Sequence, residues 1–93
     1  MTRTLQQITD YIDNHINSMN KTIEYAKRFD DRKERTDYAF RSIDIDDEQA
    51  FGALTFLNVY LQEIDDDDYK KLSKKLADGY HKATHRVYDE LFY

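Results

Sequence analysis

Residues 49–62, QAFGALTFLNVYLQ, form the longest uncharged run in a chain that is 35% charged. Such a segment has to be buried, and its length and its Gln, Asn and Ala content favour helix over strand. On a helical wheel centred on Leu57, the residues Ala50, Ala53, Leu54, Tyr60, Leu61 and Ile64 fall within about 60°. Phe56 and Val59 widen that face on one flank, and Phe51 lies off it on the other. A helix apolar over this much of its circumference is expected to be covered on more than one side. Asp46 with Gln49 three residues later reads as a capping box, Asp47 and Glu48 suit the positive end of the helix dipole, and the acids Asp65 to Asp68 stop the run. These signals predict a core helix over 46–64.

The absence of Pro and the presence of only two glycines, Gly52 and Gly79, favour long helices over a turn-rich β fold. At 93 residues the expectation is one helical domain over 1–93. With no Cys there is no disulfide and no thiolate metal site. The N-terminal MTRTLQQITDYIDNH has no apolar leader segment, and the uncharged run is too short and polar to cross a bilayer. A cytoplasmic, non-membrane protein is expected.

The net charge of −5 is unevenly placed. Residues 1–35 carry +1, residues 36–68 carry −9 and residues 69–93 carry +3. An acidic middle argues against direct nucleic-acid binding, which needs clustered Lys and Arg to displace counterions.

Helix 1 is predicted over about 4–35. Thr4 with Gln7 forms a second capping box, and Leu5, Ile8, Ile12, Ile16, Met19, Ile23 and Ala26 follow at spacings of three and four. Glu24–Arg28 and Asp31–Arg35 are i,i+4 pairs that would extend it. Roughly opposite this stripe lie Tyr11, Ser18, Tyr25 and Phe29. Aromatics on a face that should meet solvent read either as tolerated exposure or as a second contact surface. Residues 36–45 carry Tyr38, Phe40, Ile43 and Ile45 and read as a short helical or irregular connector, capped at Asp37.

Helix 3 is predicted over about 67–91, capped by Asp66 or Asp67 and supported by Asp66–Lys70 and Asp67–Lys71 pairs. Its stripe is Tyr69, Leu72, Leu76, Tyr80, Ala83, Val87 and Leu91. The stripe keeps its phase through Gly79, which suggests close approach of a neighbouring helix there rather than a break at Asp78-Gly79. The three lengths are unequal, about 45, 28 and 38 Å. A monomeric bundle would leave ends uncovered, so a homodimer is expected, using the Tyr11, Tyr25 and Phe29 face.

No arrangement in the sequence carries catalysis: there is no Gly-rich phosphate loop and no nucleophile elbow. His15 flanks the helix 1 stripe and reads as a packed side chain. His81 and His85 have the i,i+4 spacing for a shared metal, with Asp78 and Asp89 as added carboxylates. They lie on the polar side of helix 3, no Glu sits inside the pair, and no matching ligands stand on the other helices. Two acidic clusters remain, Asp44, Asp46, Asp47 and Glu48, and Asp65, Asp66, Asp67 and Asp68. Neither has the Gly of a calcium loop. They read as caps and solvated turns, or as a surface matching a basic, nucleic-acid-binding protein.

The expectation is therefore an all-α three-helix bundle and a non-enzymatic protein-interaction module. It would act as a regulator or inhibitor that binds and masks a protein partner, without a cofactor. The candidate surfaces are Tyr11, Tyr25 and Phe29, and the two acidic clusters. The alternative is a metal- or small-ligand-binding bundle using His81 and His85.

Overall fold

The computed structural model describes residues 2–93 as three α-helices: α1 (Arg3–Ala26), α2 (Arg32–Thr55, prolonged by a π turn over Phe56–Tyr60) and α3 (Asp66–Glu90). Thr4 meets Glu63, His15 meets Asp46 and Tyr25 meets Tyr38, so α1 and α2 run antiparallel. Tyr80 meets Asp44 and Tyr69 meets Thr55, so α3 turns back along α2. The all-α three-helix bundle expected from the periodicity is the fold observed. No helix among the described residues is long and apolar enough to cross a membrane.

The core follows the predicted stripes. Ile8, Ile12, Met19, Ile23 and Ala26 of α1 are buried against Leu72, Leu76, Ala83 and Val87 of α3 and Ala39, Ile43, Ala50 and Leu54 of α2. α3 passes Gly79 unbroken. A Cβ built there would lie 2.8 Å from Cγ1 and 2.9 Å from Cδ1 of Ile16, so the glycine lets α1 and α3 touch.

The helix boundaries differ from the expectation, each for a local reason. α1 ends at Ala26, not Arg35. The Arg28 N–H donates to the Tyr25 carbonyl and the Phe29 N–H to the Ala26 carbonyl, tight bonds that close the helix. The Asp31 carboxylate then accepts from the Glu34 N–H at 3.0 Å and opens α2. The predicted extension pairs are replaced. Glu24 binds Lys27 and Arg86, and the Arg35 guanidinium donates to the carbonyls of Phe29, Asp30, Leu91 and Tyr93 at 2.6–3.2 Å. One side chain thus ties the α1–α2 turn to the end of the chain.

The supposed connector 36–45 is the first half of α2, with Thr36, Ala39 and Ile43 buried. Asp46 is therefore no helix cap: it lies in mid-helix with its carboxylate turned inward. α1 is capped by Thr2, which accepts from the Leu5 N–H, rather than by Thr4; α3 is capped by Asp65 rather than Asp66 or Asp67. The helices now have 24, 24 and 25 residues, about 36 Å each, so the length mismatch behind the expected uncovered ends is absent.

The uncharged run is not covered on more than one side. Ala50 and Leu54 are buried, as is Ile64 just beyond the run, yet Phe51, Phe56, Val59, Tyr60 and Leu61 are exposed. The π turn explains part of this. The Leu61 N–H bonds the Phe56 carbonyl five residues back, so Tyr60 and Leu61 fall behind the α-helical phase and rotate off the core. Gln62 then takes a left-handed backbone, φ 52°, which ends the helix. Asn58 fixes the loop by donating to the Ile64 carbonyl at 2.9 Å and to Asp66 at 3.1 Å.

Candidate interaction face

Three grooves separate three helices, and they differ in charge. The α1/α3 groove is closed by ions. Lys75 meets Asp13 at 2.6 Å, Arg86 meets Glu24 at 2.7 Å and Lys27 meets Glu90 at 2.8 Å. Lys71, Lys74 and Lys82 line an open part of it. The Arg86 and then the Lys27 hydrogen bonds hold the Glu90 carboxyl down at about 2.

The α2/α3 groove is acidic and aromatic. The Tyr80 hydroxyl donates to Asp44 at 2.7 Å, and this bond, with burial, pushes its ionisation up to about 12. Burial, and then the Asp44 and Glu48 carboxylates, push the Asp47 carboxyl up, with His81 opposing. Phe40, Tyr88 and Phe92 pack at its far end.

The α1/α2 face is different. From α1 it presents Gln7, Tyr11, Asn14, Ser18, Thr22, Tyr25 and then Phe29 of the turn, which recur at spacings of three and four. From α2 it presents Tyr38, Ser42, Ile45, Gln49, Gly52 and Phe56, at the same spacings. None carries a charge. The exposures are those of a contact surface left open: Tyr11 40%, Tyr25 46%, Tyr38 37%, Ile45 47% and Phe56 51%. Tyr25, Phe29 and Tyr38 pack as an aromatic triad with centroids 5.2–5.6 Å apart, which joins the two helices and fixes the rings. Beneath the face, His15 and Asp46 are bonded at 2.7 Å, and the Tyr11 ring covers the imidazole edge-on at 4.5 Å.

Gly52 is the anomaly of this face. A glycine inside a helix costs about 1 kcal/mol relative to Ala. A Cβ built on Gly52 meets nothing within 4 Å. Packing within the chain gives no reason for it, in contrast to Gly79.

The sequence placed Tyr11, Tyr25 and Phe29 on one face, and the structure joins Tyr25 and Phe29 there through Tyr38, with Tyr11 about four turns away on α1. Tyr38, Ile45, Gly52 and Phe56 were missed. Their signal is the seven-residue recurrence 38, 45, 52, visible only when 32–55 is read as one helix. The acidic residues are dispersed. Asp46 is buried on His15, Asp44 accepts from Tyr80, Asp65 caps α3 and Asp66 accepts from Asn58. Glu48 and Asp67 are exposed, and Asp47 and Asp68 are half-buried. On α3, His85 pairs with Asp89 at 3.2 Å and His81 packs its edge on Tyr80. Among the described residues no three His, Asp or Glu side chains are grouped to hold a metal ion.

No protein-family model matches this chain, and neither a curated protein nor a solved structure does.

Proposed function

We propose that the protein is a non-enzymatic interaction module, a regulator or inhibitor that works by occupying and masking a protein surface in the cytoplasm. The observation that carries this reading is the α1/α2 face. In a chain with 33 charged residues among 93, thirteen positions along two helices and their turn are uncharged, and five large apolar or aromatic side chains among them stand open. Water-facing helix surfaces of so charged a chain are normally charged. Depletion of charge with enrichment of Tyr and Phe is the composition of an interface core. Glu48, exposed beside that face, favours a partner with a basic rim.

The test is sedimentation of the protein in an extract of the cells that make it. Wild type is expected to travel in an assembly heavier than the 11.2 kDa chain. Ile45→Asp with Phe56→Asp, both at exposed positions of the face outside the aromatic triad, is expected to travel outside that assembly, with far-UV circular dichroism and melting unchanged within a few degrees. Wild type travelling as a free chain, or the double variant remaining in the assembly, refutes the reading.

A further inference from the structure

We propose that the occupant of the α1/α2 face is a second copy of this chain, crossed antiparallel on α2 about a two-fold axis at Ile45, with Tyr38 of each copy seated over Gly52 of the other. The inference rests on the interaction reading above and names what occupies this face; a protein to be masked then meets the dimer outside it.

Register is the first argument. Tyr38, Ile45 and Gly52 lie seven residues apart on one stripe of α2, and 38 and 52 are equidistant from 45. An antiparallel two-fold crossing at Ile45 places each residue 38 opposite residue 52 of the second copy. The largest side chain of the stripe then faces the one position that has no side chain. This gives Gly52 the role that packing inside the chain does not, since its missing Cβ leaves open space within 4 Å.

Charge is the second. In a two-fold contact a patch meets itself, so any net charge on it meets its own sign. A chain of net charge −5 pairs with its own copy at least cost through a face that carries little net charge; here the thirteen positions are uncharged, and the Arg28 guanidinium lies over the Tyr25 ring at 5.5 Å. The two charges that flank the stripe have opposite signs. Arg41 and Glu48, also seven apart, come side by side across the same axis. Neither forms an ion pair inside the chain among the described residues.

Area is the third. The molecule extends 45 by 18 Å along its two longer axes, so one whole side of it offers at most about 800 Å², enough for the share each partner of a standard stable interface buries. The aromatic triad of Tyr25, Phe29 and Tyr38 is already assembled in the single chain, so little side-chain freedom is lost on pairing.

The experiment is light scattering on a size-exclusion column with the purified chain, on wild type, Gly52→Leu, Arg41→Glu, and Arg41→Glu with Glu48→Arg. Wild type is expected at twice the chain mass. Gly52→Leu fills the seat of Tyr38 and Arg41→Glu opposes like charges, so each is expected to weaken the dimer about tenfold or more. The double charge swap restores it. Because the chain has no Cys, Ile45→Cys adds a clean second readout. Residue 45 lies on the axis, and mild oxidation is expected to link it to itself across the dimer, while Lys74→Cys on the opposite groove stays unlinked. Circular dichroism of each variant guards against misfolding. A dimer indifferent to Gly52→Leu, a charge swap that does not restore pairing, or equal cross-linking of both cysteines overturns the proposal. A wild-type monomer overturns it too. In that case the interaction reading still stands if the assembly in the cell extract depends on Ile45 and Phe56.

Discussion

Nδ1 of His15 lies 2.7 Å from Oδ1 of Asp46, across the α1/α2 contact and 31 residues apart in the chain. Both side chains are largely withdrawn from water, at 14% and 12% exposure. A carboxylate in the middle of a helix, with Ile43 and Ala50 buried one turn away on each side, costs free energy unless it is paired. The imidazole supplies that pair from the one helix that can reach it. The bond thereby fixes how α1 and α2 slide against each other, which a row of Ile and Ala contacts specifies only loosely.

Removing the acceptor is predicted to leave His15 half-buried without its partner. Asp46→Ala should cost about 1–3 kcal/mol. That corresponds to a fall in melting temperature of about 4–8 °C per kcal/mol for a domain of this size. Chemical denaturation of Asp46→Ala, His15→Ala and the double variant checks it. The two single losses should be strongly non-additive, with a coupling of about 0.5–3 kcal/mol. Additive losses would mean the bond contributes nothing as a pair.

The two glycines should respond in opposite directions. Gly79→Ala drives a methyl to within 3 Å of the Ile16 side chain, and the overpacking, about 1–3 kcal/mol, should outweigh the gain in helix propensity of about 1 kcal/mol. In an Ile16→Ala background, which removes all three crowding carbons, the same Gly79→Ala change should cost less. Gly52→Ala, made in an Ile45→Asp background so that only the single chain is measured, should instead stabilise by about 1 kcal/mol, because its methyl meets nothing. Thermal melts of these variants decide. A stabilised Gly79→Ala would show that the α1/α3 contact yields easily.

Acid should loosen the end of the bundle where α1 and α3 meet. Glu90 is held at about 2, below its ordinary 4.5, by Arg86 and Lys27. Its folded value is depressed, so its contribution is fully present above about pH 4.5 and is lost as pH falls through about 2. The carboxylate keeps 30% of its exposure, so the contribution is on the order of 1 kcal/mol after screening. Glu90→Gln should flatten that part of the pH–stability curve, and Arg86→Gln should return the Glu90 carboxyl resonance, followed by NMR, toward an ordinary midpoint. A Glu90 midpoint near 4.5 in wild type would remove the network's role.

How much of this was legible depended on the range of the signal. The stripes of α1 and α3 were read directly, since Ile8, Ile12, Met19 and Ile23, and Leu72, Leu76, Ala83 and Val87, keep a single period and all are buried. The α1–α2 turn was misplaced because no Gly or Pro marks it. Its true signature is Asp31 followed by Glu34, an acid that accepts from the backbone three residues on. The Asp46–Gln49 pattern looked like the same device and was not. A cap signature states only that a carboxylate wants a donor, and at Asp46 the donor is His15, far away in the chain.

By itself the sequence determined the helical class, the core stripes of α1 and α3 and the close approach at Gly79, because periodicity and side-chain size are local properties. Tertiary structure alone decided that 32–55 is one helix, that Asp46 points inward, and that the uncharged run is half open. It also decided that the uncharged positions of α1 and α2 form one continuous face. Each of those depends on which surface of one helix meets another, and that is settled by the packing of residues tens of positions apart.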